Sequence, residues 1–241
     1  MKLELMNKAV YLEEFEILAV ADVHIGYEEA LNKKGVFLPR SQFKEMKKEF
    51  EEIFKKLKKE KKKIKEIVIL GDLKHEFGKI SHQEWDETIC LLDYFAEKAV
   101  KIVLIKGNHD NILEPIAHKR KLEVVDYYVL GDILFCHGHK NLKKYFGMKK
   151  IKKVFLGHEH PAVSLKEGRK SEVFKCFLVG KLMGKEVYFL PSFFPLTIGS
   201  DIVNSKNSYG LFNLAKFRVF IIGDRVYDFG VLEELRKNKV S

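Results

Sequence analysis

Cysteine and proline are scarce in this sequence, and acidic residues are outnumbered. The three cysteines, Cys90, Cys136 and Cys176, are odd in number, widely spaced and form no CxxC pair. That pattern excludes a disulfide framework and fits reduced, buried thiols in a cytoplasmic protein. Only five prolines occur, and no linker or internal repeat divides the chain. No apolar run approaches the roughly 18 residues of a membrane span. The N-terminal Met1-Lys-Leu-Glu-Leu-Met-Asn-Lys8 places an acid where a signal peptide needs uninterrupted apolar residues. A cytoplasmic protein without a membrane partner is therefore expected. Acids number 34 against 44 bases, a net charge of +10. This balance suits an anionic partner such as nucleic acid, although a general lysine bias gives the same figure.

What is present is globular. A hydrophobic fraction of 46% with 12% aromatics excludes a disordered polymer, and 241 residues suffice for one α/β domain with a substantial core. Short β-type runs alternate with helical stretches, which argues for an α/β sandwich. Strands are expected over Phe15–Ala21, Glu66–Leu70, Lys101–Lys106, Asp132–Cys136 and Val154–Leu156. Helices are expected from about Tyr27 to Gly35, after Ser41 with apolar residues three and four apart, and after Ser81. Ser81-His-Gln-Glu84 reads as a capping box. From about 172 to 230 the chain becomes strand-rich, with turns at Gly180-Lys181 and Gly223-Asp224, as an extension of the same 1–241 domain.

Every polar cluster follows an apolar strand: Asp22-Val-His24, Gly71-Asp72, Gly107-Asn-His-Asp110, His137-Gly-His139 and Gly157-His-Glu-His160. Rigid strands fix side chains just past their carboxyl ends, where α/β sheets bind ligands. Residues two apart in extended chain share a side, so Asp22 with His24, or His158 with His160, can grip one ion. Mixed Asp, His and Asn donors favour Mn²⁺ or Fe, with Zn²⁺, Ni²⁺ or Co²⁺ compatible, over an all-oxygen Mg²⁺ site. Asp110 reads as the cap of a following helix. The stretch from Lys143 to Lys153 is basic and joins two ligand-bearing strands, so Lys143 and Lys144 are candidate phosphate contacts, as is His139. A solvated loop is the competing reading for those lysines.

The five motifs in this order resemble the calcineurin-like metallophosphoesterase family over residues 22–160. The resemblance implies an α/β sandwich of mixed β-sheets flanked by helices, and two divalent ions, manganese foremost. Asp22, His24, Asp72 and His160 would hold one ion; Asp72 would bridge to a second, completed by Asn108, His137 and His158. A metal-bridging hydroxide would then attack phosphorus, with His109 protonating the leaving oxygen. Gly71-Asp-Leu-Lys-His-Glu76 is similar to the SbcD-related DNA-repair nucleases and the DNA-ligase-associated phosphoesterases. That branch implies a DNA-processing enzyme, with His75 as a second functional histidine. The alternatives are a small-nucleotide or cyclic-nucleotide phosphodiesterase, a protein phosphatase, and a scaffold that keeps the fold without catalysis. A phosphodiester such as DNA is the expected partner, and a homodimer is compatible with the sequence.

Overall fold

The computed structural model describes residues 2–237 apart from 79, 141, 169, 197–198 and 205–212. The chain opens with a hairpin of β1 (Leu3–Met6) and β2 (Ala9–Leu12), which turns at Asn7 with φ 50°. Asparagine tolerates that left-handed conformation. The hairpin is absent from the sequence reading, because two four-residue strands are too short for a period to register. β2 pairs antiparallel with β3 (Ile17–Val20), and β4 (Glu66–Leu70), β5 (Lys101–Ile105) and β6 (Val124–Val125) continue the sheet in parallel. The connections carry α1 (Tyr27–Lys33), α2 (Gln42–Lys59), α3 (His82–Ala96) and α4 (Glu114–Lys119).

A second sheet is built from β7 (Tyr127–Leu130), β8 (Ile133–Cys136), β9 (Lys153–Leu156), β10 (Pro161–Glu167), β11 (Lys170–Leu182), β12 (Lys185–Phe189) and β13 (Ser200–Asp201). Its spatial order is β13-β10-β11-β12-β9-β8-β7, and β14 (Arg218–Ile222) and β15 (Val226–Val231) branch from β11. The strand-rich tail thus continues the sheet that carries His137 and His158, through the parallel pairing of β12 with β9.

Side-chain alternation explains why these strands read as unbroken apolar runs. Ile17, Ala19, Val68, Leu70, Val103 and Ile105 point inward against Phe135, Phe155 and Phe177 of the facing sheet. Leu18, Val20, Ile67, Ile69 and Leu104 point outward, under Phe50, Ile53, Leu92 and Phe95 of α2 and α3. On the far side Leu134, Cys136, Val154 and Leu156 pack beneath α5 (Leu142–Gly147) and α6 (Leu232–Lys237). Both faces of each central strand are therefore dry.

Gly180 and Lys181, expected as a turn, lie within β11, where Gly180 faces Val187 across the ladder. A Cβ on Gly180 would stand 2.6 Å from the Phe217 ring, so glycine here makes room for an aromatic face. The reversal falls instead at Met183-Gly184, both with positive φ.

One segment ties the second half of the chain to the first. Phe193 N donates to Ala21 O at 2.9 Å, and the Ser192 hydroxyl donates to Asp22 O at 2.8 Å. The segment's own carbonyls accept from two ammonium groups: Lys8 reaches Phe193 O at 3.2 Å, and Lys175 reaches Ser192 O at 2.8 Å and also Phe194 O. The Phe193 ring stacks on Phe50 with centroids 3.8 Å apart and planes at 6°. Phe193→Ala should lower the unfolding free energy by about 3–5 kcal/mol, the range for emptying a buried aromatic site. Denaturant unfolding checks this, and a loss below about 1 kcal/mol would show that the segment is held by its backbone bonds alone.

Candidate metal centre

Parallel pairing of β3, β4 and β5 sets Asp22, Asp72 and Asn108 past neighbouring strand ends, and β8 beside β9 does the same for His137 and His158. The ladder continues into the loops: Asp22 N donates to Gly71 O at 3.2 Å and His24 N to Asp72 O at 2.9 Å. There the chain turns sharply. Asp22, His24, Asp72, His158 and His160 have φ of 55°, 47°, 49°, 70° and 45°. Left-handed backbone costs a non-glycine residue about 1–3 kcal/mol, and such strain persists where the surroundings enforce it.

Motif glycines allow the loops to close on one another. A Cβ on Gly107 would land on Asp72 Oδ1, one on Gly71 would stand 2.5 Å from His137 Nδ1, and one on Gly157 would stand 2.9 Å from Asp22 Oδ2. In each case the glycine preceding one expected ligand vacates the space filled by another.

The ligand atoms of Asp22, His24 and His160 lie within 4.8 Å of one another, and so do those of Asp72, His137 and His158. Asp72 Oδ2 stands between the groups, 3.8 Å from His24 Nε2 and 3.3 Å from His137 Nε2. Asn108 Oδ1 is 3.0 Å from His137 Nε2. Leu70 O can only accept, so the 2.8 Å contact from His137 Nδ1 fixes the proton there and leaves Nε2 turned toward Asp72 and Asn108. Two carboxylates and four imidazoles converging in a buried pocket fit a metal site, and His24 Nε2 facing His160 Nε2 at 3.3 Å suits a shared cation.

The electrostatics follow from burial. Desolvation pushes the His24 imidazole down to about 3, so it stands neutral with a lone pair to give. Burial raises the Asp72 carboxyl, but the bond and charge of His137 and the charge of His24 outweigh it and hold the group below the usual carboxylate range. Burial lowers His137, yet Asp72 and Asp22 carry it up to about 9. These carboxylates remain anionic near neutrality.

Three further histidines line the same hollow. The His139 ring is 5.1 Å from that of His137 and 6.0 Å from that of His158. The His75 and His109 rings are 5.0 Å apart at 28°, and both lie within 5.5 Å of the His24 ring. His109 Nε2 is 3.9 Å from Asp72 Oδ2, and His109 Nδ1 bonds to His75 O. Lys143 and Lys144 are exposed on α5, the helix after His139, and Lys144 Nζ sits 5.9 Å over the Tyr127 ring.

Beneath the site lie buried charges that motif spacing does not single out. Lys74 is fully buried and donates to His109 O at 2.6 Å and to Glu76 O, tying the β4 and β5 loops together. Ser81 caps α3 by accepting from Glu84 N at 3.1 Å. Glu84 does not complete the expected box; its carboxylate accepts from His75 N at 2.8 Å and Glu76 N at 2.9 Å. Nor does Asp110 cap α4, whose N-cap is Leu113. Its buried carboxylate accepts from Gly107 N at 2.9 Å, Lys74 N at 3.3 Å and Leu73 N at 3.4 Å. Burial first, and then the charge of Asp72, push that carboxyl up to about 6.

Comparison with protein-family models matches residues 15–174 to the calcineurin-like phosphoesterases, well over half of the chain. The chain belongs to the calcineurin-like phosphoesterase family. Membership implies metal-dependent hydrolysis of phosphoesters, and the Asp/His groups above are where a calcineurin-like phosphoesterase would hold its metals. Among solved structures, the Pseudomonas putida nuclease MPE superposes with a TM-score of 0.65 at 22% identity, covering 94% of each chain, and shares the fold. More remote are Vps29 of Entamoeba histolytica complexed with zinc (TM-score 0.38, 14% identity, 89% of this chain and 99% of that one) and the Escherichia coli phosphoesterase Yfce (TM-score 0.38, 14% identity, 89% and 98%). No curated protein sequence matches. Among the described residues, no helix is long and apolar enough to cross a membrane.

Gly107→Ala should weaken metal binding on the order of 10–100-fold, because its methyl group displaces Asp72. Metal analysis after dialysis against limiting Mn²⁺ tests this, and wild-type stoichiometry and affinity would refute the argument from close approach.

Proposed function

We propose that the protein hydrolyses phosphodiester bonds of nucleic acid with two divalent cations, Mn²⁺ foremost. Asp22, His24, Asp72 and His160 hold one, and Asp72, Asn108, His137 and His158 hold the other. The observation that carries this reading is the position of Asp72 Oδ2 between the two His/Asp groups, with the His75–His109 pair immediately beside them. When bound by these residues, two cations would supply Lewis acidity at the phosphate and would lower the pKa of an attacking water. A trio of His24, His75 and His109 is also close enough to ligate. Its His24 already belongs to the Asp22–His160 group and the Nδ1 of His109 is taken up by the His75 carbonyl, so proton transfer and substrate positioning are the better roles for His75 and His109.

The hydrogen bonds favour one nitrogen of His109 for the role of acid. His109 Nδ1 bonds to the His75 carbonyl, which can only accept, so Nδ1 carries hydrogen. The proton that moves is therefore on Nε2, the nitrogen directed at Asp72. The His75 ring is braced by Tyr27 at 4.5 Å and by His109, and its main chain by Glu84. This leaves the ring edge to orient the strand. His139 and the lysines of α5 flank the phosphates on the side of the second sheet. The net charge of +10 supports an anionic polymer as substrate.

Purified protein with Mn²⁺ should cleave single-stranded DNA and bis-p-nitrophenyl phosphate. Turnover of cyclic dinucleotides with no cleavage of DNA would replace this reading by a small-nucleotide phosphodiesterase. His109→Ala should retain both metals and lose about 10²–10⁴-fold in rate on DNA, the usual contribution of a positioned acid. It should lose much less on the p-nitrophenyl ester, whose leaving group departs without a proton. Equal losses on both substrates would remove His109 from that role.

If Lys143 and Lys144 track the backbone, Lys143→Gln with Lys144→Gln should reduce the slope of log K against log[salt] by about 0.7 per lysine on single strands. An unchanged slope would return them to solvent.

A further inference from the structure

The loop after β4 carries an aromatic side chain that neither the metal ligands nor the core uses. Phe77, two residues beyond His75, is 54% exposed, although large apolar side chains in this protein are mostly buried. It is not adrift: its ring lies 3.8 Å from the His109 ring, tilted by 35°. One face therefore rests on the proposed acid while the rest of the ring meets solvent. His75, Glu76 and His109 are held from below by Glu84 and Lys74, so the ring stands on a fixed base. The neighbouring rim, after α1, exposes Phe37 at 87% and Val36 at 49%, with Lys34 close enough to act electrostatically on His75.

Resting on the reading above, we infer that Phe77 is a stacking platform for an unpaired nucleobase, and that the substrate is single-stranded nucleic acid. The position assigns the base. His109 delivers its proton to the leaving oxygen, so the nucleotide on the leaving side passes beside His109, and the next ring along that wall is Phe77. A base already stacked within a duplex has no free face to offer. A base in a single strand, a flap or a loop does, and a benzene ring accepts any base without reading its edge. Lys34, at the end of α1, is near enough to act on His75, so the sugar-phosphate chain would run past that lysine.

The test uses the whole protein with Mn²⁺ and an end-labelled oligothymidylate, together with a set in which one tetrahydrofuran abasic residue is moved along the strand. In the wild type, a bond whose leaving-side nucleotide lacks its base should be cleaved about five- to a hundredfold more slowly than the same bond in the intact strand, the range expected of one stacked base. In Phe77→Ala the intact strand should slow by that factor while the abasic penalty disappears; Phe77→Trp should keep the penalty. Phe77 is largely solvent-exposed, so its removal leaves the core intact, and each variant's two substrates serve as their own reference. An abasic penalty of unchanged size in Phe77→Ala would overturn the platform while leaving the nuclease reading standing. Turnover of bis-p-nitrophenyl phosphate with no cleavage of any oligonucleotide would overturn the nuclease reading, and the platform with it.

Discussion

The site depends on backbone that is unfavourable in isolation. Asp22, His24, Asp72, His158 and His160 all occupy left-handed conformations, and nothing in a free peptide would keep them there. Three kinds of support do so. Ladder bonds run on past the strands, as from His24 N to Asp72 O. Carboxylates bind main-chain donors across loops, as Asp22 does with His158 N at 2.9 Å. Motif glycines leave the gaps into which the neighbouring ligands fit. Asp22, His24, Asp72, His137 and His158 are thus each held by a neighbouring motif's loop, and the candidate metal centre is a property of the two sheets together rather than of any one motif.

Most of this was legible in the sequence, for a physical reason. Strands buried on both faces must be continuously apolar, so the point where polarity resumes marks the carboxyl edge, and there Asp22, Asp72, Asn108, His137 and His158 are found side by side. The α/β sandwich and the course of Glu66–Leu70 were equally plain. Elements without a long apolar run were not. The β1–β2 hairpin, the two-residue β6 and the half-buried edge strand β7 have too little pattern to register. Gly180 misled because a glycine that admits an aromatic ring looks the same in sequence as a glycine that turns. Glu84 and Asp110 occupy positions that local rules assign to helix caps, yet Glu84 turns to the main chain of His75 and Glu76, and Asp110 to that of Leu73 and Lys74 in another loop besides Gly107 in its own. Long-range contacts of that kind leave no local spacing to read.

The same contacts explain how a wet, charged hollow sits on a dry interior. Lys74, Glu84 and Asp110 are buried together beneath it. Each meets main-chain donors or acceptors of the loops that carry His75, Asn108 and His109. Replacing any one would leave buried main-chain donors or acceptors unsatisfied, an expensive defect. Stability and alignment of the histidines are therefore coupled through these three side chains.

The segment around Phe193 carries a consequence for the order of events during synthesis. All seven residues proposed as ligands have left the ribosome once His160 emerges, but the main chain of Ala21 and Asp22 is still missing the hydrogen bonds supplied by Ser192 and Phe193. A nascent chain at that stage carries every proposed donor while Asp22 is still unbraced. The first strand of the candidate site therefore gains this bracing only when the later strands fold back onto the amino-terminal sheet.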